Sequence, residues 1–144
     1  MSENGHPGQQ LIDKPEHAGL EFPPKIFLDM EAEMLEYIEG QSLRVRFPVK
    51  ERYQNPAGHM QGGMIVTAAD NTLGPLSFLA IAPNVTTQLN TSFIRPVTRD
   101  DASIEVLATI TDRTRRQIFM TAQVMNPAGK VVALCHATCM LLGE

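Results

Sequence analysis

Apolar and polar residues alternate over most of this chain. Leu43, Val45, Phe47 and Val49 alternate with Arg44, Arg46, Pro48 and Lys50, which predicts a strand with one charged face. Met34 to Glu39 alternates more weakly and Gly40-Gln41 marks a turn, so residues 33–50 read as a hairpin. Val85 to Val97 predicts a long strand. Ala102, Ile104, Val106, Ala108 and Ile110 alternate with Ser103, Glu105, Thr109 and Thr111. Ile118, Met120, Ala122 and Val124 alternate with Gln117, Thr121 and Gln123. Val131 to Leu142 is apolar on both faces except at His136 and Thr138. One long segment lacks the two-residue period: Gly62 to Ala80 predicts a helix, and Pro75 is expected to kink or end it near Gly74. A shorter helix is predicted over Pro23 to Met30, opened by Pro23-Pro24. Residues 51–61 read as a loop, and Pro83-Asn84 closes the connection after the long helix.

The turns have recognisable chemistry. Asn126-Pro-Ala-Gly129 carries Pro and Gly at favoured turn positions. Arg99-Asp100-Asp101 and Asp112-Arg113-Thr114 mark two more links, and their shortness favours antiparallel neighbours. Strands, one central helix and four further strands predict an α+β fold, a curved antiparallel sheet wrapped around a central helix. The tetrapeptide Asn-Pro-Ala-Gly occurs at 55–58 and again at 126–129, which reads as turn chemistry rather than duplication.

Composition narrows the classes. With 144 residues the chain is expected to form one domain, residues 23–144, after a polar tail at residues 1–22. At this size roughly 70% of the unfolded surface can be buried, so a core forms without staples. A net charge of −4 carries no basic excess for nucleic acid. No apolar stretch is long enough to span a bilayer. The N-terminus lacks the basic start and apolar centre of a signal peptide, so a cytoplasmic protein is expected. Cys135 and Cys139 on one strand face would sit about 13 Å apart at ~3.3 Å per residue, beyond disulfide reach. They are expected to be reduced core thiols. His6, His17, His59 and His136 show no ligand spacing, so no metal and no separate cofactor are expected.

The chemistry concentrates between Asn55 and Asn71. Gly62-Gly63 opens an apolar helix, and a helix start offers unpaired N–H groups to an anion or a developing oxyanion. Glycine there lets a ligand approach closely, although two glycines also suit a simple loop ending. Asp70 interrupts the apolar run, and a carboxylate there costs stability unless paired or solvated. It suits a general base or a nucleophile; alternatively it caps a second helical piece, Asn71 to Leu79. Asn55 suits either a turn or the orientation of a carbonyl or water. Thr86 suits either a strand start or a hydrogen bond to water or Asp70. Eight residues of helix span about 12 Å, so a carbonyl bound at Gly62 is out of reach of Asp70 on the same helix. Asp70 of a second copy, on an antiparallel helix, reaches it. A site shared across a two-fold interface is therefore expected.

This element order, with Asn55, Gly62-Gly63, Asp70 and Thr86 at their spacing, resembles the hotdog-fold acyl-CoA thioesterases, most closely the phenylacetic-acid-pathway (PaaI-type) branch. The likeness covers about residues 30–142 and includes Phe93-Ile-Arg-Pro-Val97, similar to the family's first strand after the helix. It implies hydrolysis of acyl-CoA to free acid and CoA by a homodimer or dimer of dimers. In that reading Asp70 is base or nucleophile, and Gly62, with Gly63, supplies oxyanion donors. Asn55 and Gln61 position substrate or water, and Thr86 assists. Gln61 departs from the family pattern, which has His there. Glutamine donates a hydrogen bond but is no base at neutral pH. His59 is close enough to compensate, or is simply an exposed loop residue.

Coenzyme A carries phosphates, which favour Arg and Lys. Arg95, Arg113, Arg115 and Arg116 are the candidates, although Arg113 to Arg116 also suits a solvated turn guarding a sheet edge. Eight methionines suit an adaptable acyl pocket or a core filler. Two other functions fit: a hotdog enoyl-CoA hydratase or dehydratase, whose histidine could only be His59, and a non-catalytic acyl-CoA binding protein.

Overall fold

The computed structural model describes residues 23–143, so the expected tail at 1–22 lies outside the described residues. A short helix α1 (Lys25–Asp29) precedes the hairpin of β1 (Glu33–Ile38) and β2 (Ser42–Pro48). A 3-10 turn (Glu51–Tyr53) lies within the expected loop before the long helix α2 (Gly62–Ala80). The strands β3 (Asn84–Phe93), β4 (Ser103–Arg113), β5 (Gln117–Met125) and β6 (Val131–Leu141) complete the chain. All six strands form one antiparallel sheet in the order β1-β2-β4-β5-β6-β3.

The sheet buries one face against α2. Leu43, Val45 and Phe47 of β2, Ile104, Val106 and Ala108 of β4, and Ile118, Met120, Ala122 and Val124 of β5 all point inward. So do Cys135, Ala137 and Cys139 of β6. Opposite them the helix buries Ile65, Ala68, Ala69, Thr72, Leu73, Leu76 and Leu79. Alanines at the middle of the sheet, paired as Ala108 with Ala122, leave room for the helix to sit close. Met30, Met60 and Met120 fill the core. Both cysteines are free and buried, as expected. No helix among the described residues is long and apolar enough to cross a membrane.

Four expectations need correction. Of the kink or end expected at Pro75, the end does not occur, for α2 runs on to Ala80. A residue before proline normally leaves the helical region because its Cβ meets the proline ring, and Gly74 has no Cβ. The buried side chains of Leu73, Leu76 and Leu79 then hold the rest of the helix to the sheet. Second, β3 and β4 are not neighbours: β3 pairs with β6, and β4 pairs with β2 and β5. The link over residues 94–102 crosses the layer instead of turning back. Third, β3 ends at Phe93, so residues 94–97 are not strand; Ile94 and Arg95 still donate their backbone N–H groups to Val132 O. Similarly, β4 continues through Arg113, so the turn into β5 starts at Thr114.

Helix-to-sheet packing is therefore expected to dominate stability. Leu76→Ala, at a fully buried position, should cost about 2–5 kcal/mol in chemical denaturation. A loss below about 1 kcal/mol would show that the core tolerates a cavity there.

Candidate active site

The start of α2 is fixed from three sides. Gln61 N donates to Tyr53 O at 2.7 Å, Met60 N donates to Val97 O at 2.8 Å, and Gln54 bridges to Met60. Gln61 occupies the N-cap position, yet its side chain makes no capping bond. Its carbonyl accepts from Met64 N at 2.9 Å and Ile65 N at 3.2 Å. The backbone N–H groups of Gly62 and Gly63 have no backbone acceptor among the described residues. These two donors are the unpaired groups that every helix start leaves over.

A pocket of about 290 Å³ opens beside Gly62. Met60, Ile65, Phe93 and Val97 give it apolar walls, while Asn55, His59 and Arg95 supply its polar lining. Phe93 shapes it most closely: a Cβ on residue 62 would lie 3.2 Å from the ring. Space at Gly63 is open. The pocket thus gathers Asn55, His59, Gly62 and Arg95 in one place, with no acidic side chain among its lining.

Asn55 is committed to its turn. Its Oδ1 accepts from Ala57 N at 3.0 Å and His59 N at 3.1 Å, and its own N donates to His59 O at 2.6 Å. Asn126 makes the matching set of bonds to Ala128 N and Lys130 N, so the twin tetrapeptides are twin turns. Only the amide nitrogen of Asn55 remains for a ligand.

Asp70 is not in this pocket. It lies two turns along α2, on the exposed stripe that continues from Gly63 through Thr67. The carboxylate is exposed on the single chain, but the surrounding protein still desolvates it and pushes its pKa above the ordinary 3.8. Across from it, the Thr86 hydroxyl lies 3.7 Å from Cys139 Sγ. Burial raises the Cys139 thiol pKa, the Thr86 contact lowers it, and the Asp70 charge raises it further. Asp70 thus acts electrostatically on Cys139, the thiol that Thr86 contacts, away from the pocket at Gly62. Sequence patterning marked Cys139 only as a core thiol, and it missed Phe93 as a wall. The signal for both was strand register, since Thr86 pairs with Cys139 and Phe93 with Ala133.

Arg113, Arg115 and Arg116 are exposed at the β4–β5 tip. Arg116 O accepts from Leu141 N at 2.8 Å, which places that tip beside the end of β6 and the start of β3. Arg95 lies past the other end of β3. Ten strand residues, about 30 Å, separate the two groups. They do not converge on one ligand there. A larger pocket of about 370 Å³ lies on the far face of the sheet, lined by Arg44, Arg46, Glu105 and Asn126 among others. Its charges are already paired, with Glu105 bonded to Arg44 at 3.2 Å and to Arg46 at 3.0 Å. Those bonds, led by Arg46, hold the Glu105 carboxylate below its ordinary pKa.

Chemically, the chain offers paired N–H donors on a partly apolar pocket, and a desolvated carboxylate about 12 Å away. The chain matches the model of the thioesterase superfamily over residues 57–133, more than half its length. Its fold is similar to that of a mutant phenylacetic acid degradation protein PaaI from Thermus thermophilus, with TM-score 0.75 and 22% identity. That match covers 83% of this chain and all of the other. A putative thioesterase from Ralstonia eutropha, described as phenylacetic acid degradation-related, gives TM-score 0.77 and 26% identity over 85% of this chain and 94% of that one. A Streptococcus mutans protein solved with acetyl CoA gives TM-score 0.73 and 21% identity over 78% and 90%. No curated protein matches the sequence. The family match over the helix-start pocket, with a six-stranded sheet around one helix, shows that the chain belongs to the thioesterase superfamily and has the hotdog fold shared with PaaI-type proteins.

Proposed function

We propose that this protein hydrolyses acyl-CoA thioesters as a homodimer, or a dimer of dimers, with each active site built from two subunits. The observation that carries the reading is the unspent pair of N–H groups at Gly62 and Gly63, opening on a pocket within a thioesterase-family segment. A thioester carbonyl seated there gains two donors as its oxygen becomes an oxyanion. Asn55, through its free amide nitrogen, and Gln61, through its uncommitted side chain, orient the carbonyl or the water.

Asp70 of the partner subunit completes the site as base or nucleophile, and Thr86 of that subunit hydrogen-bonds water beside it. Support for the shared arrangement is structural. Strand β3 is an edge strand, mostly exposed, and its outer side has no strand partner among the described residues. The free stripe of α2 beside it is small, with open space at Gly63 and Gly74. A two-fold axis perpendicular to β3 at this edge pairs two edges and lays two helices antiparallel. Each Asp70 then faces the other subunit's helix start. The acetyl CoA bound to the Streptococcus mutans neighbour favours a CoA thioester as the ligand class.

Thiol release from a panel of aliphatic and aromatic acyl-CoAs tests the reaction. Asp70→Asn should lower turnover on the order of 100-fold or more; equal rates would remove Asp70 from the mechanism. Saturated acyl-CoA should react, whereas turnover confined to an enoyl-CoA would favour a hydratase.

Mixing tests the shared site. Gly62→Pro removes one donor at a first helical position that tolerates proline. Subunits carrying Gly62→Pro, combined with subunits carrying Asp70→Asn, should recover activity that neither has alone. Failure to recover it in a confirmed mixed dimer would place both groups in one subunit's site.

The raised Asp70 pKa fixes two pH effects. Activity should fall as pH drops through that pKa, because the working form is ionised. The folded state also binds the Asp70 proton more tightly than the unfolded state, so this group's stability contribution declines as pH rises through and above the ordinary 3.8. Asp70→Asn should therefore raise Tm near neutral pH, with the difference closing as pH falls below about 4. A lower Tm for Asp70→Asn at neutral pH would contradict the assigned desolvation.

A further inference from the structure

The two Asn-Pro-Ala-Gly turns provide an internal comparison. Both end in glycine with φ of +80°, and both are closed by the same side-chain and backbone bonds. At Gly129 a Cβ would meet nothing within 4 Å. At Gly58 it would run into the guanidinium of Arg99, with Cζ at 3.1 Å and Nε at 3.3 Å. Gly58 is accordingly buried while Gly129 is exposed. The local turn is the same, so the difference between them is the arginine laid against the first.

That arginine has no use for its charge within the described chain. Arg44 and Arg46 pair with Glu105, Arg52 pairs with Asp29, and Arg95 Nη1 donates to Val131 O. No ion pair or side-chain hydrogen bond is formed by Arg99 among the described residues. Two carboxylates follow it in the chain: Asp101 is engaged by Thr98 N at 2.9 Å, and the exposed Asp100 forms no ion pair with Arg99. The Asn55 turn it covers forms part of the pocket at Gly62, and Met60 N to Val97 O ties that turn to the segment carrying Arg99. Four residues, at most about 14 Å of chain, separate Gly58 from the carbonyl-binding position at Gly62.

We propose that Arg99 binds a phosphate of the coenzyme A moiety, at the Asn55 turn of the same subunit whose Gly62 holds the carbonyl. This rests on the acyl-CoA reading above. The long pantetheine arm carries the phosphates away from the thioester, and the guanidinium at Gly58 meets them with up to five N–H donors and a planar fork. Gly58 is glycine for two reasons: the positive φ of its turn, and the space the guanidinium occupies. The distant tip cations Arg113, Arg115 and Arg116 are not required for this contact.

The test compares one acyl group on coenzyme A and on N-acetylcysteamine, which has the thioester but no phosphate. Arg99→Gln should raise KM for the acyl-CoA about tenfold, as expected for one lost charge-assisted contact. It should leave kcat, and all constants for the cysteamine thioester, unchanged. Arg99→Lys should recover part of the loss. Gly58→Ala, which displaces the guanidinium, should reproduce the KM effect, whereas Gly129→Ala should not. An equal change with both thioesters, or none with either, would overturn the assignment. Calorimetry with free coenzyme A keeps the two readings apart. If wild type hydrolyses neither thioester while Arg99→Gln still weakens coenzyme A binding about tenfold, the hydrolase reading fails and the phosphate contact stands. Unchanged coenzyme A binding in Arg99→Gln would remove the contact whatever the turnover.

Discussion

The burial of one face of α2 against the curved sheet is the constraint on which the rest depends. Leu73 and Leu76 meet Val106, Met120 and Ala122 in a single core. Burying side chains of this size is worth roughly 1.5–3 kcal/mol each relative to exposure. That packing carries the helix past Pro75, whose missing N–H would otherwise invite a break. It also fixes rotation about the helix axis. With the leucine face inward, Gly63 and Asp70 share the outward stripe.

Topology then decides what that stripe can meet. Crossing from β3 to β4 sends β3 to the edge, beside β6, and leaves its outer side unpaired among the described residues. The free strand edge and the free helix stripe therefore adjoin. The chain holds two separate groups: donors on a pocket at one point of α2, and a desolvated carboxylate at another. A carboxylate near apolar surface is costly in an isolated chain. In the proposed dimer that cost is compatible with a function, since a less hydrated carboxylate is a stronger base toward water.

The twin turns show how little local sequence decides about function. Asn55-Pro-Ala-Gly58 and Asn126-Pro-Ala-Gly129 fold alike because the asparagine side chain and the glycine φ determine the turn. One faces a ligand-sized pocket with cations beside it. The other lies by Arg44 and Arg46, whose charge Glu105 already neutralises.

Sequence alone determined the elements, short of where β3 and β4 end. The two-residue period located the strands, and its absence located α2 from Gly62 to Ala80, because side-chain direction follows backbone geometry within a few residues. It also brought out Gly62 and Asp70, since glycines and a carboxylate in an apolar helix violate local expectation. Asn55, His59 and Arg95 were legible as candidates, but their meeting at one pocket was not. Only the tertiary structure decided strand order, the edge position of β3, the contact of Phe93 with Gly62 and that of Arg99 with Gly58. Those pairings join residues about 30 or 40 positions apart in the chain. Long-range packing of the whole core selects them, and no short-range periodicity carries that information.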